Sequence, residues 1–145
     1  MANFQGQLSI SSGYQRHGIY TWSNSSGAGS YFHFKTDLVL STYVMSRVEA
    51  VGINYANAYP IRCSWTWYTY SYLTNTSTQT LYSGLSADGV YMSSGTPSYV
   101  CFRGYAANNN DVSFILNAIH ANPTGNGYNL TITAASQNST SGNYY

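Results

Sequence analysis

Ile61-Arg62-Cys63-Ser64-Trp65-Thr66-Trp67-Tyr68-Thr69-Tyr70-Ser71-Tyr72 alternates along its whole length. Ile61, Cys63, Trp65 and Trp67 take every second position against Arg62, Ser64 and Thr66, and Tyr68, Tyr70 and Tyr72 then continue in the opposite phase. A period of two sends successive side chains to opposite faces of a pleated strand. The change of phase predicts a bulge near Trp67 and Tyr68.

Upstream the same period recurs. In the stretch from Tyr31, Phe32, Phe34, Leu38 and Leu40 share a face against His33, Lys35 and Asp37, which predicts a strand or a broken pair of strands. From Val44 to Tyr55, Arg47 and Glu49 share a face with Val51 and Ile53 while Val48 and Ala50 point away. Both faces are partly apolar, as in the interior of a sheet.

Downstream comes a polar stretch, Asn75 to Thr80, then a short segment from Leu81 to Leu85. Ala87-Asp88-Gly89 carries the Asp-Gly pair of a hairpin and precedes Val90 to Met92. Tyr99 to Tyr105 sets Tyr99, Cys101, Arg103 and Tyr105 against Val100 and Phe102, and Asn108-Asn109-Asn110 makes a turn. Val112, Phe114, Leu116 and Ala118 oppose Ile115 and Ile119, which predicts a strand buried on both sides. After the turn Asn122 to Gly127, Tyr128 to Ala134 reads as the last strand. Helical periodicity is missing throughout. Short strands about ten residues apart, punctuated by Gly, Asn and Pro, predict an all-β fold: a single antiparallel β-sandwich or jelly roll over 31–136. Residues 1–30 read as an N-terminal arm or first strands, and 137–145 as a polar C-terminal tail. Both ends are expected to need a partner to become ordered.

Composition narrows the function. Only 6% of the 145 residues are Asp, Glu, Lys or Arg, against about 25% in an ordinary domain, while there are 16 tyrosines. Hydroxyls, amides and phenol rims must wet such a surface, and neutral hydrogen bonds are far less sensitive to salt than charges are. A net charge of +1 without a basic run lacks the footprint of a nucleic-acid binder. No apolar run approaches the roughly 20 residues of a membrane span, and the N-terminal residues carry no export signal, so assembly in a cytoplasm without membrane insertion is expected. Cys63 and Cys101 fall in apparent strands without zinc-ligand spacing, which reads as two buried thiols or a bond between neighbouring strands.

The chemistry-bearing residues are few. Asp37, Glu49, Asp88 and Asp111 are scattered, and His17, His33 and His120 lie in no elbow or metal motif. No catalytic residue, metal site or cofactor is expected. Arg47, Glu49, Arg62 and Arg103 stand in mid-strand and read as structural ion pairs, with Arg103 opposite Glu49, or as a ligand clamp. The ladder Trp65, Trp67, Tyr68, Tyr70 and Tyr72 reads as core on one face and subunit contact on the other. The alternative is a stacking platform for a sugar ring.

Arg47 to Tyr55, Pro60 to Trp65, Tyr82 to Tyr91 and the ending Thr131 to Gln137 resemble small β-rich virion structural proteins of tailed bacteriophages, of the type found with marine and cyanobacterial hosts. The resemblance implies display on the particle, as capsid decoration or the tip of a tail fibre. It also implies assembly as a homotrimer alongside other virion proteins, with a host surface glycan as the alternative partner of a receptor-binding module. It brings no motif with assigned residue roles.

Overall fold

A computed structural model describes residues 7–10, 13–23, 29–40, 44–55, 58–107, 111–121 and 130–145. Ten strands follow in chain order: β1 (Gln7–Ile10), β2 (Gly13–Ser23), β3 (Tyr31–Val39), β4 (Val44–Asn54), β5 (Tyr59–Tyr70), β6 (Tyr72–Ser83), β7 (Ser86–Met92), β8 (Tyr99–Tyr105), β9 (Val112–Ala121) and β10 (Ile132–Asn138). They form an antiparallel six-stranded sheet in the order β1-β2-β9-β4-β5-β6 and a four-stranded sheet in the order β10-β3-β8-β7. The two sheets enclose one core, so the fold is an all-β sandwich.

The alternation explains that core. From the larger sheet come Val48 and Ala50 of β4, Ile61, Cys63, Trp65 and Trp67 of β5, and Phe114, Leu116 and Ala118 of β9; β3 and β8 of the smaller sheet supply Phe32, Phe34, Val100 and Phe102. Rings bridge the sheets: Trp65 lies 4.8 Å from Phe102 and Phe34 lies 5.9 Å from Phe114, centroid to centroid. Such pairs add about 0.5–1.5 kcal/mol each beyond the area they bury. Where β4 pairs with β9, Gly52 lies so close to the backbone of Ser113 and Phe114 that a side chain there would collide with it.

The strands differ from the sequence expectation in several places. β5 keeps a single phase, with Thr69 buried in line with Trp65 and Trp67. The chain reverses at Ser71, whose φ of 53° is left-handed, so Tyr72 opens β6 and sits opposite Tyr70. Tyr-Ser-Tyr carries no glycine or asparagine to announce that turn. The polar stretch Asn75 to Thr80 is strand, within β6. The bulges fall there: Thr66 pairs with Ser77 and Tyr68 with Thr74, leaving an extra residue on β6 around Asn75, and Leu81 is extra between Thr80 and Tyr82.

The Asp88-Gly89 pair makes a bulge inside β7 rather than a hairpin turn, since Ala87 pairs with Gly104 and Gly89 with Arg103. Residues 84–85 turn the chain instead. The last strand runs from Ile132 to Asn138, later than expected, and pairs with β3. The segment 1–30 contributes β1 and β2, with β2 bonded along β9. The expected turns at 108–110 and 122–127 lie outside the described residues.

Candidate functional site

Sheet alternation that fills the core also decides what the outer face of the six-stranded sheet presents. On β4 the inward residues Val44, Ser46, Val48 and Ala50 are buried, and Met45, Arg47, Glu49, Val51 and Ile53 point outward. On β9 the outward residues include Ile115 and Ile119, which are 46% and 44% exposed. The expectation that β9 is buried on both sides therefore fails: its second apolar face has no cover among the described residues. Val51, directly opposite Ile115, is 42% exposed, Ile53 49% and Met45 52%. Leu81, Tyr55, Tyr59 and Tyr82 are exposed as well.

At the centre of this face lies a triad of charges. Glu49 Oε2 is 3.5 Å from Arg47 Nη2 and its Oε1 is 3.4 Å from Arg62 Nε, so one carboxylate spans two guanidiniums. The register places them there, because Glu49 pairs with Ser64 while Val51 pairs with Arg62, one diagonal step away. The triad carries a net charge of +1. With Ser64, Gln79 and Leu81 it lines an open depression of about 270 Å3, and His17, Asn117 and Ile119 flank it on the other side. Pockets that bury a small molecule are usually concave and about 300–1,000 Å3; this one is a shallow part of a broad face.

Arg47 and Glu49 share a face as the alternation indicates, but the arginine that comes from another strand to Glu49 is Arg62 and not Arg103. Arg103 belongs to the smaller sheet, where its Nε donates to Asp88 Oδ2. The bulge at Asp88 brings that carboxylate to Arg103, and sequence separation alone gave no sign of it. Of the aromatic ladder, Trp65 and Trp67 are core residues and can touch neither ligand nor partner. Tyr68 is half-buried, and Tyr70 and Tyr72 are exposed on the outer face and at the turn. The Tyr68 and Tyr70 rings stack 6.4 Å apart at 13°.

The remaining titratable groups are dispersed. Asp37 Oδ1 accepts from the Thr131 amide at 2.9 Å, which leaves Asp37, Glu49 and Asp88 each committed to a different local partner. His17 lies on the outer face of the larger sheet, and His33 on the outer face of the smaller one, opposite Arg103. The two cannot share an ion across the sandwich, and the described residues hold no cluster of three or more metal-ligating side chains. The side chain of His120 lies outside the described residues.

Cys63 faces the inter-sheet core. Cys101 faces outward from β8, in line with Lys35 and Tyr91. The sheet itself separates them, so both are free thiols, and burial pushes each up to about 12.

The sequence missed the exposed aliphatic band, because alternation shows that Ile115 and Ile119 share a face but not that nothing covers it. No protein-family model, curated protein or solved structure matches the chain.

Proposed function

We propose that the protein is a non-enzymatic virion structural subunit of a tailed bacteriophage, assembling as a homotrimer through the outer face of its six-stranded sheet. The observation that carries the reading is the band of exposed aliphatic side chains, Met45, Val51, Ile53, Ile115 and Ile119, around a partly neutralised charge triad. Exposed apolar groups clustered about polar ones mark an interaction surface. A specific interface needs about 800 Å2 per partner, the scale of a sheet face. The bacteriophage assignment rests on the sequence resemblance, and places the assembled protein in the capsid decoration or the tail fibre. Light scattering across micromolar concentrations tests the assembly: three times the chain mass is expected, and a stable monomer overturns it.

Glu49→Gln separates the interface from the fold. The triad is partly exposed in the single chain, and such pairs contribute about 0–1 kcal/mol to stability, so urea unfolding of the isolated chain is expected to change by no more than that. In an assembled interface two arginines would lose their shared counter-charge, and breaking a buried pair costs about 2 kcal/mol or more. Self-association is expected to weaken by about 30-fold or more. Equal losses in both measurements would refute the interface role of Glu49.

A second reading, recognition of a host surface glycan, is favoured by the stacked Tyr68 and Tyr70 rings beside the hydroxyls of Thr66, Ser77 and Thr78. Aromatic faces cover the C–H patches of a sugar while hydroxyls fix its orientation. A glycan array is expected to show binding that Tyr70→Ala and Tyr72→Ala both abolish; binding indifferent to both variants removes this reading.

A further inference from the structure

Residues 139–145 do not project from the sandwich as a tail awaiting a partner. They turn back over the outer face of the four-stranded sheet, where β3 and β8 place His33, Cys101 and Arg103. His33 and Cys101 are 0% exposed and Tyr91 7%, although all three point away from the inter-sheet core. The segment lies over His33 and Tyr91, and Tyr145 comes close enough to Cys101 to interact with it. The Tyr144 ring lies 5.2 Å from the His33 ring, and Tyr145 packs edge-on against Tyr144 at 5.0 Å.

A single hydrogen-bonded circuit latches the segment. His33 Nε2 lies 2.9 Å from the Thr140 carbonyl oxygen. A carbonyl can only accept, so this geometry assigns the hydrogen of the neutral ring to Nε2. Nδ1 is then an acceptor, and it lies 3.2 Å from the Tyr91 hydroxyl, which donates to it. Tyr91 Oη in turn accepts from the Tyr144 amide at 3.4 Å, and the Ser94 amide donates to the Tyr145 main-chain oxygen at 3.2 Å. One imidazole thus holds the segment at Thr140 directly and at Tyr144 through Tyr91.

We propose that His33 makes residues 139–145 an acid-released strap: protonation of its imidazole unlatches the segment from the four-stranded sheet while the sandwich stays folded. A proton on Nδ1 sets two donors against each other, His33 Nδ1–H and Tyr91 O–H. The Tyr91 hydroxyl must then turn away from the only acceptor it has in the circuit. Burial and the Arg103 charge oppose the new charge, and they outweigh the Asp88 carboxylate and the hydrogen bonds from His33 to Thr140 and Asn138, which favour it. Across β8 stands the Arg103 guanidinium, its charge shared with Asp88 of β7; Lys35 of β3 faces the same side, with its Nζ over the Tyr99 ring. The other titratable groups on this face, Tyr31, Tyr91, Cys101, Tyr105, Tyr144 and Tyr145, are phenols and a thiol, and β10 contributes Ser136 and Asn138, the latter hydrogen-bonded to His33.

The direction of the pH effect follows. Burial, ahead of the Arg103 charge, holds the closed-state His33 below 6.5. Above 6.5 open and closed forms are both neutral and the latch is at full strength. As pH falls below 6.5 the open form takes up a proton that the closed form resists, and the latch weakens until pH passes the lowered closed-state value. Release uncovers His33 and Tyr91 beside Tyr31 and the already exposed Tyr105, on the opposite side of the molecule from the aliphatic band.

The two cysteines report the event. Cys101 is buried on the outer face beside Tyr145 of the strap and Cys63 is buried in the core, so strap release is expected to expose only the first and global unfolding both. The native full chain is labelled with 4,4′-dithiodipyridine, which reacts with thiols at acid pH, and the modified cysteine is located by mass spectrometry. The ratio of Cys101 to Cys63 labelling is expected to rise by up to about tenfold for each pH unit below the ordinary histidine value. His33→Gln, which cannot titrate, is expected to give a ratio independent of pH. Cysteines that gain reactivity together, a ratio indifferent to pH, or an equal rise in His33→Gln would each overturn the proposal. Should that variant fail to fold, hydrogen exchange of the wild type decides. The Tyr144 amide must lose protection relative to the Phe102 amide as pH falls below 6.5; unchanged relative protection overturns the strap.

Discussion

Trp65→Ala is expected to lower the unfolding free energy by about 3–5 kcal/mol and the melting temperature by roughly 10–15 °C for a chain of this size. Trp65 is fully buried at the junction of the sheets, with its ring 4.8 Å from Phe102 and its Nε1 donating to the Arg103 carbonyl at 2.7 Å. Truncation therefore removes a ring from a close-packed site and deletes a hydrogen bond between the two sheets. Phenylalanine substitutions sharpen the test. Trp65→Phe leaves the Arg103 carbonyl without that donor, at a cost of about 1–3 kcal/mol beyond the packing loss. Trp67 is equally buried, but its Nε1 has no partner among the described residues. Trp67→Phe relieves that unpaired group and is expected to cost less than about 1.5 kcal/mol. Urea titration of the three variants checks the ranking, and equal losses for the two phenylalanine variants would show that the Trp65 hydrogen bond adds nothing.

Ile115→Lys is expected to have the largest effect on assembly, converting the oligomer to monomers at micromolar concentration. Ile115 lies opposite Val51 of β4 and Thr21 of β2 on the outer face, at the heart of the aliphatic band. In the isolated chain its side chain is 46% exposed. A substitution there is expected to change unfolding by about 0.5 kcal/mol. Placed in an interface, an ammonium without a counter-charge must lose its water, which costs several kcal/mol, and it adds to the net positive charge of the triad. Sedimentation velocity reads the oligomer and thermal unfolding at low concentration reads the fold. A variant that stays assembled would remove the six-stranded face from consideration.

Much of the fold was legible because it is local. The inward and outward faces of β3, β4, β5, β8 and β9 follow from alternation over a few residues each, and the buried sets at Phe32 to Leu38 and Ile61 to Trp67 are those the pattern indicates. Where the pattern misled, a bulge or an unsignalled turn had intervened. Ser71 reverses the chain without a glycine, and Asp88-Gly89 has turn chemistry but is used within a strand. The site was half legible. Arg47 and Glu49 are two positions apart on one strand, so their shared face was certain once the strand was recognised, whereas the partners of Arg62 and Arg103 depended on which strands lie side by side.

From the sequence alone came the all-β class, the alternation of core and surface, and a surface wetted by tyrosine, serine and asparagine instead of charge. Each follows from the pleat and from side-chain chemistry within a few residues. Tertiary structure alone decided that Ile115 and Ile119 stand uncovered, that Asp88 claims Arg103, and that His33 is sealed by Thr140, 107 positions along the chain. The physical reason is that a pleat fixes which residues share a face but not what that face meets. That depends on strand order, on bulges that shift register, and on where a distant segment such as 139–145 comes to rest.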